Sequence, residues 1–216
     1  MENRSAQDLI QSLSPVGRAL FYKFGHGPAL DPPFKCIHHA FEFHSRTHPE
    51  AFAVEDGQAK VTYGELDRQA NCVAAHLRSK GVIPGSRVGL LVERSISMVI
   101  GVLGVLKAGG AYVPLDGNLI SRNNLTRTLQ DSEVAVVLSQ RKFTNRISTY
   151  PVLCIEEILC PSQDGHCVKP DDLSSGGDSA CLIYTSGTFY FSPVSQVVTF
   201  QQTWTTYAPL TSCIGI

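Results

Sequence analysis

The sequence has almost no excess charge of either sign. Its 18 Lys and Arg residues are balanced by 19 Asp and Glu residues, a formal net charge of −1. This balance gives no electrostatic basis for a nucleic-acid or anionic-membrane partner. The longest apolar stretch, Ile96–Leu106, is too short to span a bilayer and predicts a buried helix instead. The N-terminal residues show no basic-then-apolar signal pattern, so we expect a cytoplasmic protein without a membrane partner.

Closely spaced cysteine pairs are also missing. The seven cysteines are scattered, and no pair has the two-residue gap of zinc or redox motifs. Reduced, mostly buried thiols are therefore expected. His44 and His48 have the i, i+4 spacing of helical zinc ligands, but no Glu stands between them and Pro49 ends the helix. A solvated or partly packed helix face is favoured there, and no metal site is predicted.

Strand and helix patterns alternate along most of the chain. Continuous apolar strands alternating with helices predict an α/β fold with a parallel sheet covered on both faces. Ser95 and Ser121 are the expected caps of two of the helices. The predicted strands are Ala51–Val54, Val88–Val92, Ala111–Leu115, Val134–Leu138 and Val152–Ile155.

One helix has clear start and stop signals. Thr62 and Glu65 have the spacing of a capping box, in which each side chain satisfies the other residue's backbone N–H. Gly81 is the expected left-handed residue after the helix. A shorter helix is predicted from Ile37 to about Thr47, ending before Pro49.

A further apolar strand ends in a turn of hydroxyl residues and glycine. Thr185, Ser186, Gly187 and Thr188 follow Ala180–Tyr184 and offer backbone N–H groups and hydroxyls to an anion. These four residues are the predicted phosphate-binding site. The chain continues with three aromatic residues, and no Lys or Arg follows Lys169. Residues 189–216 contain no charged residue and no histidine, unlike the preceding sequence.

Three ordered segments carry a family resemblance. They closely resemble the first three core motifs of nonribosomal peptide synthetase adenylation domains, which belong to the adenylate-forming superfamily. The lead-in before Cys36 also resembles the linker between condensation and adenylation domains in fungal enzymes. The three segments are Val61–Leu66, Leu106–Asp116 and Leu182–Thr188.

The resemblance implies a fold and a reaction. The fold would be the N-terminal part of the large subdomain of an adenylate-forming enzyme, incomplete in this chain. The reaction would be ATP- and Mg²⁺-dependent activation of an amino acid to an aminoacyl adenylate, followed by transfer to the phosphopantetheine of a partner carrier domain. Residues 185–188 would hold the ATP phosphates, while Thr62 and the segment from Lys107 to Asp116 would be structural. The product would belong to secondary metabolism.

The sequence departs from the family after Thr188. The family loop continues through Thr-Gly, one variable residue and Pro-Lys-Gly, whereas this chain has Phe189-Tyr190-Phe191. Without the loop lysine and the later substrate contacts, we expect a truncated domain that is inactive alone, and no catalytic residue is assigned. Two alternatives stay open: an acyl-CoA or aryl-acid ligase fragment, and a non-catalytic piece that docks on an intact synthetase.

Three regions are expected. Residues 1–35 form the lead-in, 36–188 a partial adenylation domain, and 189–216 an uncharged tail of different character. Because later strands of the sheet are missing, an apolar edge would remain uncovered. We expect poor solubility, or pairing of the tail with that edge.

Overall fold

The computed structural model describes residues 10–25, 33–57, 59–160, 168–185 and 194–199. The chain divides into two compact units, residues 1–32 and 33–216. The first unit contains helix α1, Pro15–Gly25, none of whose residues is buried. The second unit contains all other described elements.

The second unit begins with two helices and a hairpin. Helix α2 spans Ile37–Thr47, as predicted. An antiparallel hairpin of β1 (Phe52–Asp56) and β2 (Ala59–Thr62) follows, and helix α3 (Tyr63–Ser79) begins directly after it. The Thr62 hydroxyl accepts a hydrogen bond from the backbone N–H of Glu65 at 3.3 Å, which confirms the predicted N-cap.

The second half of the capping box is different from the prediction. The Glu65 carboxylate accepts a bond from Gln69 Nε2 at 3.4 Å, one turn further along the helix. The expected stop is present: Gly81 has a φ of +85°, a conformation that glycine adopts without strain.

Six of the described strands form one sheet. Their order is β6-β5-β3-β4-β7-β8, and the first five are parallel. Strand β8 pairs antiparallel with β7, which is the expected pairing between the tail and the open edge. The strands are β3 (Arg87–Val92), β4 (Ala111–Asp116), β5 (Val136–Ser139), β6 (Val152–Cys154), β7 (Ser179–Thr185) and β8 (Val194–Thr199).

Side chains of the central strands alternate between two cores, as the two-residue period of a strand requires. Val88 and Leu90 point to the face covered by α3 and α4 (Ile96–Lys107), whereas Leu91 points to the opposite face, covered by α5 (Arg122–Asp131). A 3₁₀ helix follows β5, and a short helix follows β6. The helices of this unit that follow α3 are α4 (Ile96–Lys107), α5 (Arg122–Asp131), the 3₁₀ helix (Arg141–Arg146) and α6 (Ile155–Ile158).

Several local predictions need correction. Strand β6 stops at Cys154 because Ile155 begins a helix, and the first strand of the hairpin starts at Phe52. Cys36, Cys154 and Cys181 are buried free thiols, as expected. Cys72 is disulfide-bonded, so the expectation of reduced thiols is wrong at that position. Within the described ranges, no helix combines the length and the apolar content needed to cross a membrane.

Candidate functional site

The candidate site lies at the carboxyl ends of β3 and β4, which are parallel neighbours in the sheet. The two strands are neighbours, but the connection after β3 runs to the α3–α4 face and the connection after β4 runs to the α5 face. In open parallel sheets, ligands bind where successive connections diverge in this way. The polar residues that directly follow these strands are therefore candidates for the functional site.

Gln140 connects the segments that follow β3 and β5. Its Oε1 accepts the backbone N–H of Glu93 at 2.8 Å, and its Nε2 lies 3.3 Å from the Ser95 hydroxyl. The Ser95 hydroxyl donates to the Glu93 carbonyl at 3.2 Å. Ser95 is the N-cap residue of α4, as predicted, but its side chain makes no capping hydrogen bond because its hydroxyl is bonded to these partners.

The Glu93 carboxylate is held ionised beside this network. Lys142 Nζ lies 2.5 Å from Glu93 Oε2, and the amide of Asn118 donates to the same oxygen at 3.1 Å. These two hydrogen bonds, with that from Lys142 the stronger, lower the pKa of Glu93 below its usual range. The carboxylate therefore joins loops that follow three different strands.

The turn after β4 is packed so closely that it requires glycine. A Cβ on Gly117 would lie 2.3 Å from the ring of Phe143, which is nearly buried. The guanidinium of Arg146 donates to the carbonyls of Gly117 and Ile120. The 3₁₀ helix thus fixes the path of the backbone after β4.

The predicted phosphate-binding segment starts at this edge. Strand β7 lies beside β4, with Cys181 paired to Tyr112, so its last residue, Thr185, reaches the level of Asp116. Ser186, Gly187, Thr188 and the Thr185 side chain lie outside the described residues. An anion held by backbone N–H groups after β7 would lie at the end of the sheet where Glu93 and Asp116 are.

Tyr184 secures the end of β7. Its hydroxyl donates to Asp131 Oδ2 at 2.6 Å. Burial, with this bond to a carboxylate, raises the pKa of Tyr184 to about 12. The strand that leads to the predicted site is thereby anchored to the end of α5.

Comparison with known proteins decides the family. The family profile described as AMP-binding enzyme matches residues 41–188. The chain belongs to this family. Its match ends at Thr188, the last residue of the predicted phosphate-binding segment, and covers the whole parallel sheet.

Relatives of the chain include fungal and bacterial proteins. Adenylate-forming reductase 03009 of Coprinopsis cinerea is 49% identical over 187 residues, covering 85% of this chain and 18% of the relative. Gramicidin S synthase 2 of Brevibacillus brevis is 37% identical over 170 residues, covering 78% of this chain and 4% of the relative. The chain thus spans less than a fifth of the curated relatives it matches.

Solved structures agree on the architecture. The AMPPNP-bound nonribosomal peptide synthetase FmoA3 superposes with a TM-score of 0.80 at 26% identity, covering 94% of this chain and 21% of that one. VinN in complex with 3-methylaspartate gives a TM-score of 0.74 at 22% identity, covering 84% of this chain and 52% of that one. The fold prediction, the N-terminal part of an adenylate-forming large subdomain, is confirmed.

The second family motif contains a buried cation. Lys107 is 3% exposed and donates to Glu42 Oε1 at 2.7 Å, Asp67 Oδ1 at 2.8 Å and Asn71 Oδ1 at 2.9 Å. These bonds join α2, α3 and α4, which agrees with the structural role that the resemblance implied for this motif.

The sequence did not predict the polar network at the carboxyl edge of the sheet. Glu93, Asn118 and Gln140 each follow an apolar strand by one or two residues, and this position was the available signal. Lys142 could not be found in this way, since its pairing with Glu93 depends on the tertiary fold.

Proposed function

We propose that residues 36–188 are the phosphate-binding front part of an ATP-dependent ligase that activates an amino acid as its adenylate. The observation that carries this proposal is the family match over residues 41–188, which ends at Thr188, the last residue of the Thr-Ser-Gly-Thr sequence. Secondary-metabolite biosynthesis is the proposed setting, and the cytoplasm the proposed location. The peptide synthetases among the relatives support the setting.

The proposed chemistry is an in-line displacement at phosphorus. The amino acid carboxylate oxygen attacks the α-phosphorus of ATP, and the bond to the bridging oxygen breaks, releasing pyrophosphate. The backbone N–H groups and hydroxyls of residues 185–188 fit a site that holds the phosphates, because they donate to oxygens that carry charge. Mg²⁺ would supply further charge neutralisation. The acyl group would then pass to the phosphopantetheine of a separate carrier domain.

We also propose that this chain does not catalyse adenylation by itself. No Lys or Arg follows Lys169, so residues 189–216 bring no cation to the phosphates. Each preorganised charge partner that is lost costs about 10² to 10³ in rate. Purified protein is expected to give no ATP–pyrophosphate exchange with any amino acid of a panel. Exchange clearly above the rate without added amino acid would overturn this proposal.

A chimera tests whether residues 36–188 support adenylation once the missing cationic residue is supplied. Residues 189–216 are replaced by the sequence that follows the corresponding turn in the Coprinopsis reductase, to the end of its adenylate-forming region. We expect exchange activity to appear in this chimera. The matched control carries Thr185→Val, Ser186→Ala and Thr188→Val in the same chimera and is expected to lose it. A folded but inactive chimera would contradict the proposed ancestry of the site.

The substrate class is a separate part of the proposal. Identity to the Coprinopsis adenylate-forming reductases is 49% and 51%, against 36–37% for the gramicidin synthases. These values favour a parent protein of the reductase kind over a multimodular synthetase. The alternative is an acyl-CoA or aryl-acid ligase. Exchange by the chimera with aryl or fatty acids, and product formation with free coenzyme A, would support this alternative.

A non-catalytic role is the third candidate. In that case the chain would dock on an intact synthetase or its carrier domain. Co-purification of the tagged chain with a synthetase from its source, retained by the Thr185→Val, Ser186→Ala, Thr188→Val variant, would favour docking over catalysis.

The proposed boundaries follow from the same observations. Residues 1–35 are the lead-in, and 189–216 are a tail of non-family sequence. The family match ending at Thr188 supports the second boundary. Sequencing the transcript and the genomic DNA around codon 188 tests it. A reading frame or splice junction that restores Thr-Gly-x-Pro-Lys-Gly would identify the tail as a truncation of the domain.

A further inference from the structure

Three potential metal ligands meet at the start of α2. Cys36 precedes the helix, and His38 and His39 lie in its first turn. One ligand atom from each of the three lies within 4.8 Å of the others. Cys36 and His38 are buried, with exposures of 0% and 1%. A thiol and two imidazoles are thus gathered where little water reaches them.

A fourth potential ligand comes from the distant segment before β7. Asp172 Oδ2 lies 2.6 Å from His39 Nε2, and its Oδ1 lies 3.7 Å from His38 Nε2. The backbone N–H of Ser174 donates to the same Oδ1 at 3.0 Å, which orients the carboxylate toward the histidines. The four side chains offer one sulfur, two nitrogens and one oxygen.

We propose that Cys36, His38, His39 and Asp172 bind one Zn²⁺ ion in a closed, four-coordinate site. Zinc accepts this mixture of thiolate, imidazole and carboxylate, and four protein ligands are typical of structural zinc sites. With Zn–N of about 2.0–2.1 Å and Zn–S of about 2.3 Å, tetrahedral ligand atoms lie roughly 3.3–3.7 Å apart. One ligand atom each of Cys36, His38 and His39 lies within 4.8 Å of the others, and Asp172 lies 2.6 Å from His39 Nε2 and 3.7 Å from His38 Nε2, so side-chain rotations would bring the four groups to that spacing.

A His39–Asp172 ion pair is the competing explanation. That pair accounts for two of the four groups and makes no use of the thiol, whereas the metal site uses all four. The two explanations therefore differ most sharply at Cys36. On binding, the Cys36 thiol loses its proton to solvent as the sulfur–zinc bond forms, so one proton is released from this residue per ion.

The site would stabilise the segment that leads to the predicted phosphate turn. Residues 168–178 also contact the helices through Lys169 Nζ, 2.7 Å from Glu42 Oε2, and through the Asp171 carbonyl, which accepts from Arg78 Nη2 at 3.2 Å. A metal on Asp172 would connect this segment to α2 much more strongly than these surface contacts. Strand β7 begins directly after it.

The test is metal titration of the full chain under an inert atmosphere and without reductant, so that the disulfide of Cys72 stays intact, after removal of metal by a chelator. We expect one equivalent of Zn²⁺ to bind tightly. Co²⁺ at the same site should give the intense sulfur-to-cobalt charge-transfer band and the visible bands of tetrahedral coordination. Cys36→Ser should abolish the charge-transfer band, and Asp172→Asn and His39→Gln should each weaken binding at least tenfold.

Matched controls lie in the same part of the chain. His48→Gln alters an exposed histidine directly after α2, and Cys160→Ser alters an exposed cysteine; both should leave stoichiometry and spectrum unchanged. Asp172 is exposed enough for its Asn variant to fold even if Cys36→Ser does not. Chelation should lower the melting temperature of the wild type and leave that of Asp172→Asn nearly unchanged. Stoichiometric binding that survives in Cys36→Ser and Asp172→Asn, or no binding by the wild type, would overturn the proposal.

Discussion

Lys107 Nζ lies 2.7 Å from Glu42 Oε1, and the lysine is 3% exposed. The pair joins the last residue of α4 to the middle of α2, across 65 residues of sequence. Asp67 and Asn71 accept from the same ammonium, so all three of its protons have acceptors. A buried lysine in this arrangement is costly to lose, because its carboxylate partners would remain without it.

We predict that Lys107→Met destabilises the protein by about 3 kcal/mol, the usual cost of removing one partner from a buried ion pair. The measurement is urea unfolding followed by circular dichroism. Lys60→Met is the control, since Lys60 and Glu55 form an exposed pair with a separation of 3.1 Å. Its effect should stay below about 1 kcal/mol. Equal effects of the two substitutions would contradict a structural role for the Lys107 network.

The same network predicts sensitivity to acid. Burial alone would raise the pKa of Glu42, but hydrogen bonds from Lys107 and Lys169 outweigh it and hold that pKa below 4.5. Because the folded-state pKa is lowered, the stability that Glu42 contributes is present above about pH 4.5 and is lost as the pH falls toward the folded-state value.

Glu42→Gln should therefore make the free energy of unfolding less dependent on pH in the acidic range. We expect the difference in unfolding free energy between wild type and variant to shrink as the pH is lowered from 5 through 4, measured by denaturant unfolding. Glu55→Gln, in the exposed pair with Lys60, serves as the control. A wild-type advantage that stays constant over this interval would contradict the assignment.

The sequence predicted local features well. The Thr62 cap and the Gly81 stop depend on residues within one helical turn, and both are present. Ser121 likewise accepts from the backbone N–H of Asn124 at 3.3 Å, which confirms the second predicted cap. The parallel sheet was also predictable, because strands that are apolar on both faces are typical of a parallel sheet covered by helices on each side.

Features that depend on distant partners were not predictable. The Ser95 hydroxyl bonds to Gln140, 45 residues away, and not to the first turn of α4, and the bond between His39 and Asp172 joins residues 133 apart. The spacing of the cysteines likewise predicted no metal site, because the proposed zinc site contains a single cysteine. Its other ligands are two neighbouring histidines and a carboxylate from a distant segment. Such contacts are set by the fold, and periodicity carries no information about them.

A close contact between α3 and α4 predicts that a larger residue at Gly104 destabilises the protein. Gly104 lies inside α4, where helix propensity alone would make Ala more favourable by about 1 kcal/mol. A Cβ there would lie 2.5 Å from Val73 Cγ1. We expect Gly104→Ala to destabilise the protein by about 1–3 kcal/mol in urea unfolding, because the packed helices cannot separate freely.

Two variants test this explanation. The double variant Val73→Ala, Gly104→Ala should be more stable than the sum of the single effects predicts, since shortening Val73 makes room for the new methyl group. Gly177→Ala, where a Cβ has no neighbour within 4 Å, should change stability by less than about 0.5 kcal/mol. Stabilisation by Gly104→Ala would show that the helices adjust and that the contact is not restrictive.

The last prediction concerns the edge of the sheet. Strand β8 is the terminal strand of the described sheet, next to β7, and its sequence carries no charge. Uncharged edge strands promote pairing between molecules, and a lysine on the edge opposes it. We expect the wild-type chain to self-associate in sedimentation velocity as its concentration rises, and Gln196→Lys to reduce that association. Gln130→Lys adds the same charge on the exposed surface of α5, so it separates an edge effect from a net-charge effect. A wild-type chain that remains a monodisperse monomer, or equal improvement by both lysines, would rule out edge pairing as the cause.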